Sequence, residues 1–217
     1  MTLSLPEQIA EKIGNSIIRG EYEPAARISE VEVAGAFAVS RAPVREALRI
    51  LERDGLVQIN ARRGAQVTKL SSEEINEMFV VRASMLGLAA ALAAARQNPD
   101  FVAQLQADVP RLGQLARNKD ADAFVSIVYE LSVAIAEHSG NRVLSNLLFS
   151  LAHQTLRYAR LGLATPERRE QAAADWVGFL DAVERKKPRI AQKTAEKLVR
   201  DVRDTAIQTL GEPSGAG

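Results

Sequence analysis

The chain has 217 residues, 47% of them apolar and 25% charged, values that fit an ordinary globular protein of one or two domains. Its 28 Lys+Arg against 27 Asp+Glu leave a formal charge of +1, which excludes a polybasic or acidic tail protein and confines any nucleic-acid surface to a local patch. With no cysteine and two histidines, His138 and His153, there is no disulfide framework, thiolate metal site or cysteine nucleophile, and little material for histidine chemistry.

Residues 1–5 are too short for the apolar core of a signal peptide, and Glu7 and Glu11 follow at once. Ser4 instead caps a helix with Pro6 in its first turn and Leu5, Ile9, Ile13 and Ile17 along one stripe, which Gly20 stops. Residues 21–27 read as a connection. Ser29 opens a short second helix containing Val33, Ala34 and Phe37. After the tight link at Ala38 and Val39, Ser40 caps a third helix that runs to about Asp54, with Pro43 where its missing N–H is harmless. Residues 56–59 and 65–68 alternate like strands around a tip at 60–64, which makes a hairpin. Three short helices and a hairpin are the layout of a winged helix-turn-helix, expected over residues 1–70.

Residues 71–212 read as an all-helical bundle of about six helices. Breaks are expected at 98–99, 118–120, 139–141, 164–166 and 187–188, each carrying Gly, Pro, Asn or another stop signal. Residues 213–217 read as a disordered tail. The most apolar stretch, 78–95, holds Arg82, Ser84 and Gly87 and is largely alanine, so a buried or dimer-forming helix is favoured over a membrane span. The expected class is mostly α, soluble and cytoplasmic.

The third helix carries the sharpest signal. Val44, Leu48 and Leu51, with Ala47 beside them, point one way, and Arg41, Arg45 and Arg49 line a neighbouring face. One face packs while the other presents three guanidinium forks, the groups that grip guanine edges or phosphates. Ser40 and Arg41 open the helix, where free N–H groups also favour phosphate. The hairpin tip adds Arg62, Arg63 and Gly64. Taken alone, three spaced arginines also describe a solvated amphipathic helix with Glu46 or Glu52 as partner. The order of helix, short turn, basic helix and basic-tipped hairpin decides for DNA, with Ser40, Arg41, Pro43, Arg45, Arg49, Arg62, Arg63 and Gly64 as the contacting residues.

The run from Val39 to Glu52, Ser-Arg-Ala-Pro-Val-Arg-Glu-Ala-Leu at its heart, resembles the DNA-binding domain of the GntR family of bacterial transcriptional regulators. Ile28-Ser29-Glu30 before it and Gly55-Leu56-Val57 after it belong to the same resemblance. Ala25 and Ala38 stand where turn glycines are common in that family and ask for slightly different turns. The helical half resembles the FadR-like branch, whose ligand-binding domain is called FCD. Val81-Arg82-Ala83-Ser84-Met85 and Ala136-Glu137-His138-Ser139-Gly140-Asn141 carry this weaker likeness.

Many FCD domains hold a divalent metal with one Asp and three His. Aligned on the local motifs, those four positions fall here on Val128, Ser132, Trp176 and Leu198, so no metal and no cofactor is expected. Arg82, Ser132, His153, Arg157 and Trp176 become the candidate effector residues, with Asn146, Ser150, His153 and Arg157 sharing one helical face. Each has a plainer reading as a packed or paired side chain. The resemblance implies a repressor released by a small organic anion and a homodimer on a palindromic operator. The alanine-rich helix at 73–97 is the candidate dimer contact. Two other readings are a DNA-bound protein-interaction module without a ligand and, less favoured, a helical enzyme with an accessory DNA domain. No phosphate loop, metal cluster or nucleophile–base pair in the sequence supports catalysis, so no enzyme is expected.

Overall fold

The computed structural model describes residues 3–60, 64–117 and 121–211. The chain divides into two compact units, Met1–Leu70 and Ser71–Gly217.

In the first unit, α1 (Leu5–Arg19) starts at Ser4, whose N–H and hydroxyl both donate to the Glu7 carboxylate at 2.7 Å. Gly20 ends it in the left-handed conformation. Ile9, Ile13 and Ile17 form its buried stripe, but Leu5 lies outside the stripe and is exposed. Helices α2 (Glu30–Ala36) and α3 (Arg41–Arg53) follow, then β2 (Val57–Asn60) and β3 (Gly64–Val67), paired antiparallel with Val57 opposite Val67.

A two-residue strand, β1 (Arg27–Ile28), pairs with the free edge of β3, giving the order β1-β3-β2. Arg27 falls at the end of the stretch that reads as a connection in the sequence, because two residues are too few to show an alternation. The core gathers Ile9, Ile13 and Ile17 with Val33, Val44, Leu48, Leu51, Val57 and Val67. Ala25 and Ala38 both lie in turns. They hold left-handed φ values of 64° and 53°, the conformation that glycine supplies without strain.

The second unit holds α4 (Ser72–Arg96), α5 (Pro99–Ala116), α6 (Ala121–His138), α7 (Arg142–Gly162), α8 (Pro166–Glu184) and α9 (Pro188–Gly211). Local chemistry sets most of the starts. Ser71 and Glu74 form a reciprocal capping box, Asn98 Oδ1 accepts from the Asp100 and Phe101 N–H groups, and Asn141 and Thr165 cap α7 and α8. Phe79, Phe101, Phe124, Trp176 and Phe179 are fully buried.

The alanines of α4 serve this packing. Ala83, Ala89, Ala90, Ala93 and Ala94 are buried, and a Cβ on Gly87 would stand 2.6 Å from the Glu196 side chain of α9. Small residues thus let α4 and α9 approach closely inside the bundle. Helix α4 is long and apolar enough to cross a membrane by composition, and half of that window is buried inside the protein. Arg169, also fully buried, donates to the Ala116, Leu163 and Ala164 carbonyls and so ties the ends of α5 and α7 to α8.

Candidate nucleic-acid interface and ligand cavity

Helix α3 is built as a two-faced element. Val44, Ala47, Leu48 and Leu51 are buried, while Arg41, Arg45 and Arg49 are exposed. Ser40 occupies the N-cap position, but its side chain makes no capping hydrogen bond. Pro43 is half-buried in the first turn.

The arginines are not simply solvated. Glu30 Oε2, in the first turn of α2, accepts from Arg41 Nη2 at 2.9 Å, Arg41 Nε at 3.2 Å and Arg45 Nε at 2.9 Å. Partial burial pushes the Glu30 carboxyl up, but the two arginine bonds and charges outweigh it and hold the group below the usual value. The expected partners, Glu46 and Glu52, do not fill this role. Glu52 Oε1 instead accepts from the Ile59 N–H at 3.1 Å and ties α3 to the hairpin. Sequence spacing could not find Glu30, because an i, i+4 rule sees one helix and this contact joins two. Arg49 forms no ion pair with a described residue.

At the hairpin, Gly64 opens β3 with φ 75° and nothing within 4 Å of where a Cβ would stand. Arg62 and Arg63 lie outside the described residues.

The second unit encloses a cavity walled by five of its helices. Its volume is about 40 Å³. Arg82 and Leu86 come from α4, Val128, Tyr129 and Ser132 from α6, Leu156 and Ala159 from α7, Ala172 and Trp176 from α8, and Leu198, Val199 and Val202 from α9. A smaller adjoining void shares Arg82, Leu86, Tyr129 and Ser132.

Three of the five candidate effector residues, Arg82, Ser132 and Trp176, therefore meet at one wall. The other two do not reach it. His153 sits on α7 with its ring 6.3 Å from that of Tyr129, and Arg157 is half-buried on the same helix. A shared helical face does not fix where that face points, and here the cavity takes Leu156 and Ala159 from α7 instead. Tyr129 is a polar wall residue that sequence reasoning missed.

All four positions aligned with the metal ligands of other FCD domains, Val128, Ser132, Trp176 and Leu198, line this cavity. Valine and leucine offer no lone pair, an indole N–H donates only, and the Ser132 hydroxyl already donates to the Val128 carbonyl at 2.8 Å. Among the described residues no three His, Cys, Asp or Glu side chains gather closely enough to hold a metal ion. His138, at the end of α6, stacks on Phe101 instead. The residues present do not fit a divalent cation.

A winged helix-turn-helix with a basic recognition helix, followed in the chain by an all-helical unit with an internal cavity, defines a class: DNA-binding transcriptional regulators. Residues 5–67 match the model of the bacterial regulatory proteins of the gntR family, and residues 77–201 match that of the FCD domain. The chain belongs to the GntR family and carries an FCD domain.

The HTH-type transcriptional regulator YdhC of Bacillus subtilis (strain 168) is 29% identical over 142 residues, covering 65% of this chain and 63% of the relative. The gluconate operon transcriptional repressor of Bacillus licheniformis is 32% identical over 117 residues, covering 54% of this chain and 48% of the relative. The matched part thus spans about half to two thirds of these relatives. Among solved structures, E. coli McbR/YncC superposes with a TM-score of 0.83 at 19% identity, covering 97% of this chain and all of the other, a likeness of fold.

Proposed function

We propose that this GntR-family regulator is a repressor that binds a palindromic operator as a homodimer and is released by a small organic anion held in its FCD cavity. What carries the reading is α3, with one face buried and Arg41, Arg45 and Arg49 exposed on another. On operator DNA the first two exchange Glu30 for phosphate or base edges, and Ser40, Pro43, Gly64, Arg62 and Arg63 complete the contact. One such domain covers only a few base pairs, so two copies on an inverted repeat supply the discrimination. The effector acts only through its preference for one dimer geometry over another.

The test is selection of binding sites from random duplexes, followed by fluorescence anisotropy. The expected result is an enriched inverted repeat whose binding is lost when Arg41, Arg45 and Arg49 are all changed to alanine. Enrichment of no symmetric sequence, or full binding by the triple variant, overturns the reading.

A further inference from the structure

Two side chains of the cavity wall, Arg82 and Trp176, carry donors with no hydrogen-bond acceptor among the described residues. Arg82 is 8% exposed and makes no hydrogen bond or ion pair with any described residue; its guanidinium carbon lies 6.0 Å from the centre of the Phe79 ring. Trp176 is 1% exposed, and its Nε1 has no partner among the described residues. Neither side chain can accept a hydrogen bond, and buried polar groups in native proteins are nearly always satisfied. No Asp or Glu lies in the wall. Beside the positions aligned with the metal ligands of other FCD domains, this chain places a fixed cation, Arg82, and at one of them an indole N–H, Trp176.

We propose that the cavity is a metal-free site for a small monocarboxylate with an apolar body, its carboxylate held between the Arg82 guanidinium and the Trp176 Nε1–H. This rests on reading the cavity as the effector site and adds the chemistry of what enters it. The carboxylate supplies charge and lone pairs to both orphaned donors. Leu86, Val128, Leu198, Val199 and Val202 make most of the remaining wall apolar. A second carboxylate would meet no second cation there, only the Tyr129 and Ser132 hydroxyls, which penalises dicarboxylates. The free space favours a short chain. A divalent cation would meet the guanidinium as a like charge.

Trp176 is the only tryptophan in the chain, so its emission reports directly on the site. The experiment titrates the full chain in EDTA with acetate, propionate, butyrate, butyramide and succinate, following tryptophan emission and the thermal midpoint. Butyrate is expected to shift both, with affinity rising about fourfold per methylene from acetate to butyrate. Butyramide and succinate are expected to shift neither. Arg82→Met should abolish the butyrate response, and Trp176→Phe, read by its melt, should weaken it about tenfold.

The proposal is overturned if none of the monocarboxylates moves either signal, or if Arg82→Met keeps the response. It is also overturned if EDTA lowers the midpoint and zinc restores it. Operator anisotropy on the same samples separates the two readings. Butyrate binding without a change in operator affinity keeps the site and removes its regulatory role; intact operator binding with no carboxylate response overturns the site alone.

Discussion

Changing Arg82 to methionine keeps the reach of the side chain and removes a charge that no described residue pairs. Burial pushes the guanidinium down to about 10, the mark of a cation held against its own hydration. Because the folded pKa lies below the unfolded one, the penalty is fully present at neutral pH and is relieved only as pH rises past about 10. Unliganded Arg82→Met should therefore be more stable than the parent by about 1–3 kcal/mol, seen as a higher urea midpoint at unchanged slope. A lower midpoint would reveal a favourable role for the charge in the empty protein.

On α3 the arginines should separate by role. Arg45, one turn into the helix, is expected to read a base, so Arg45→Ala should cost about 1–3 kcal/mol and relax specificity at one position. Arg41, at the helix start, is expected to clamp phosphate, so Arg41→Ala should weaken all sequences alike and flatten the salt dependence by about one unit. The Glu30 bridge to both is partly exposed and worth less than about 1 kcal/mol to stability. Its contribution stands above the usual carboxyl value of 4.5 and is lost as pH falls through the lower folded value. Glu30→Gln should therefore leave the melt at pH 7 within about 1 kcal/mol of the parent and remove that acid-side loss.

At the scale of elements, the end of α2 stores strain. The Val39 N–H bonds the Ala34 carbonyl and the Ala38 N–H bonds that of Gly35, a Schellman ending that puts Ala38 in the left-handed region. An L-residue there costs about 1–2 kcal/mol, and glycine returns part of this as unfolded-chain entropy. Ala38→Gly should stabilise the protein by up to about 1 kcal/mol in urea unfolding, and Ala38→Val should destabilise it. The opposite sign belongs to the start of α4, where the Ser71 hydroxyl accepts from the Glu74 N–H. Ser71→Ala should cost about 1 kcal/mol.

For the whole molecule, the expected assembly is a dimer with two-fold symmetry. The inward face of α4 is used up within the bundle, which leaves Val81 and Leu88, 51% and 47% exposed, on its outer side. If a second copy covers them, Leu88→Glu should yield monomers by sedimentation at micromolar concentration while α-helical content is unchanged. Operator affinity should then fall, because each half-site must be bound independently. A variant that remains dimeric moves the interface to another face.

Much of this protein was legible in its residues. The recognition-helix pattern, the glycine stops and the Asn, Thr and Pro helix starts are local chemistry, so nine helices among the described residues and the hairpin follow from near neighbours in the chain. The resemblance to FCD domains, aligned on local motifs such as Gly140-Asn141, pointed to Val128, Ser132, Trp176 and Leu198, four residues that share one cavity. Tertiary structure decided what lies across space. It paired Glu30 with Arg41 and Arg45, laid β1 on β3, turned α4's alanines toward α9, and kept His153 and Arg157 away from the cavity wall. Periodicity gives the angle of a side chain about its own helix axis. The rotation of that helix against its neighbours comes from packing all the buried faces at once, and only then does a lone arginine become a cation without a counter-charge.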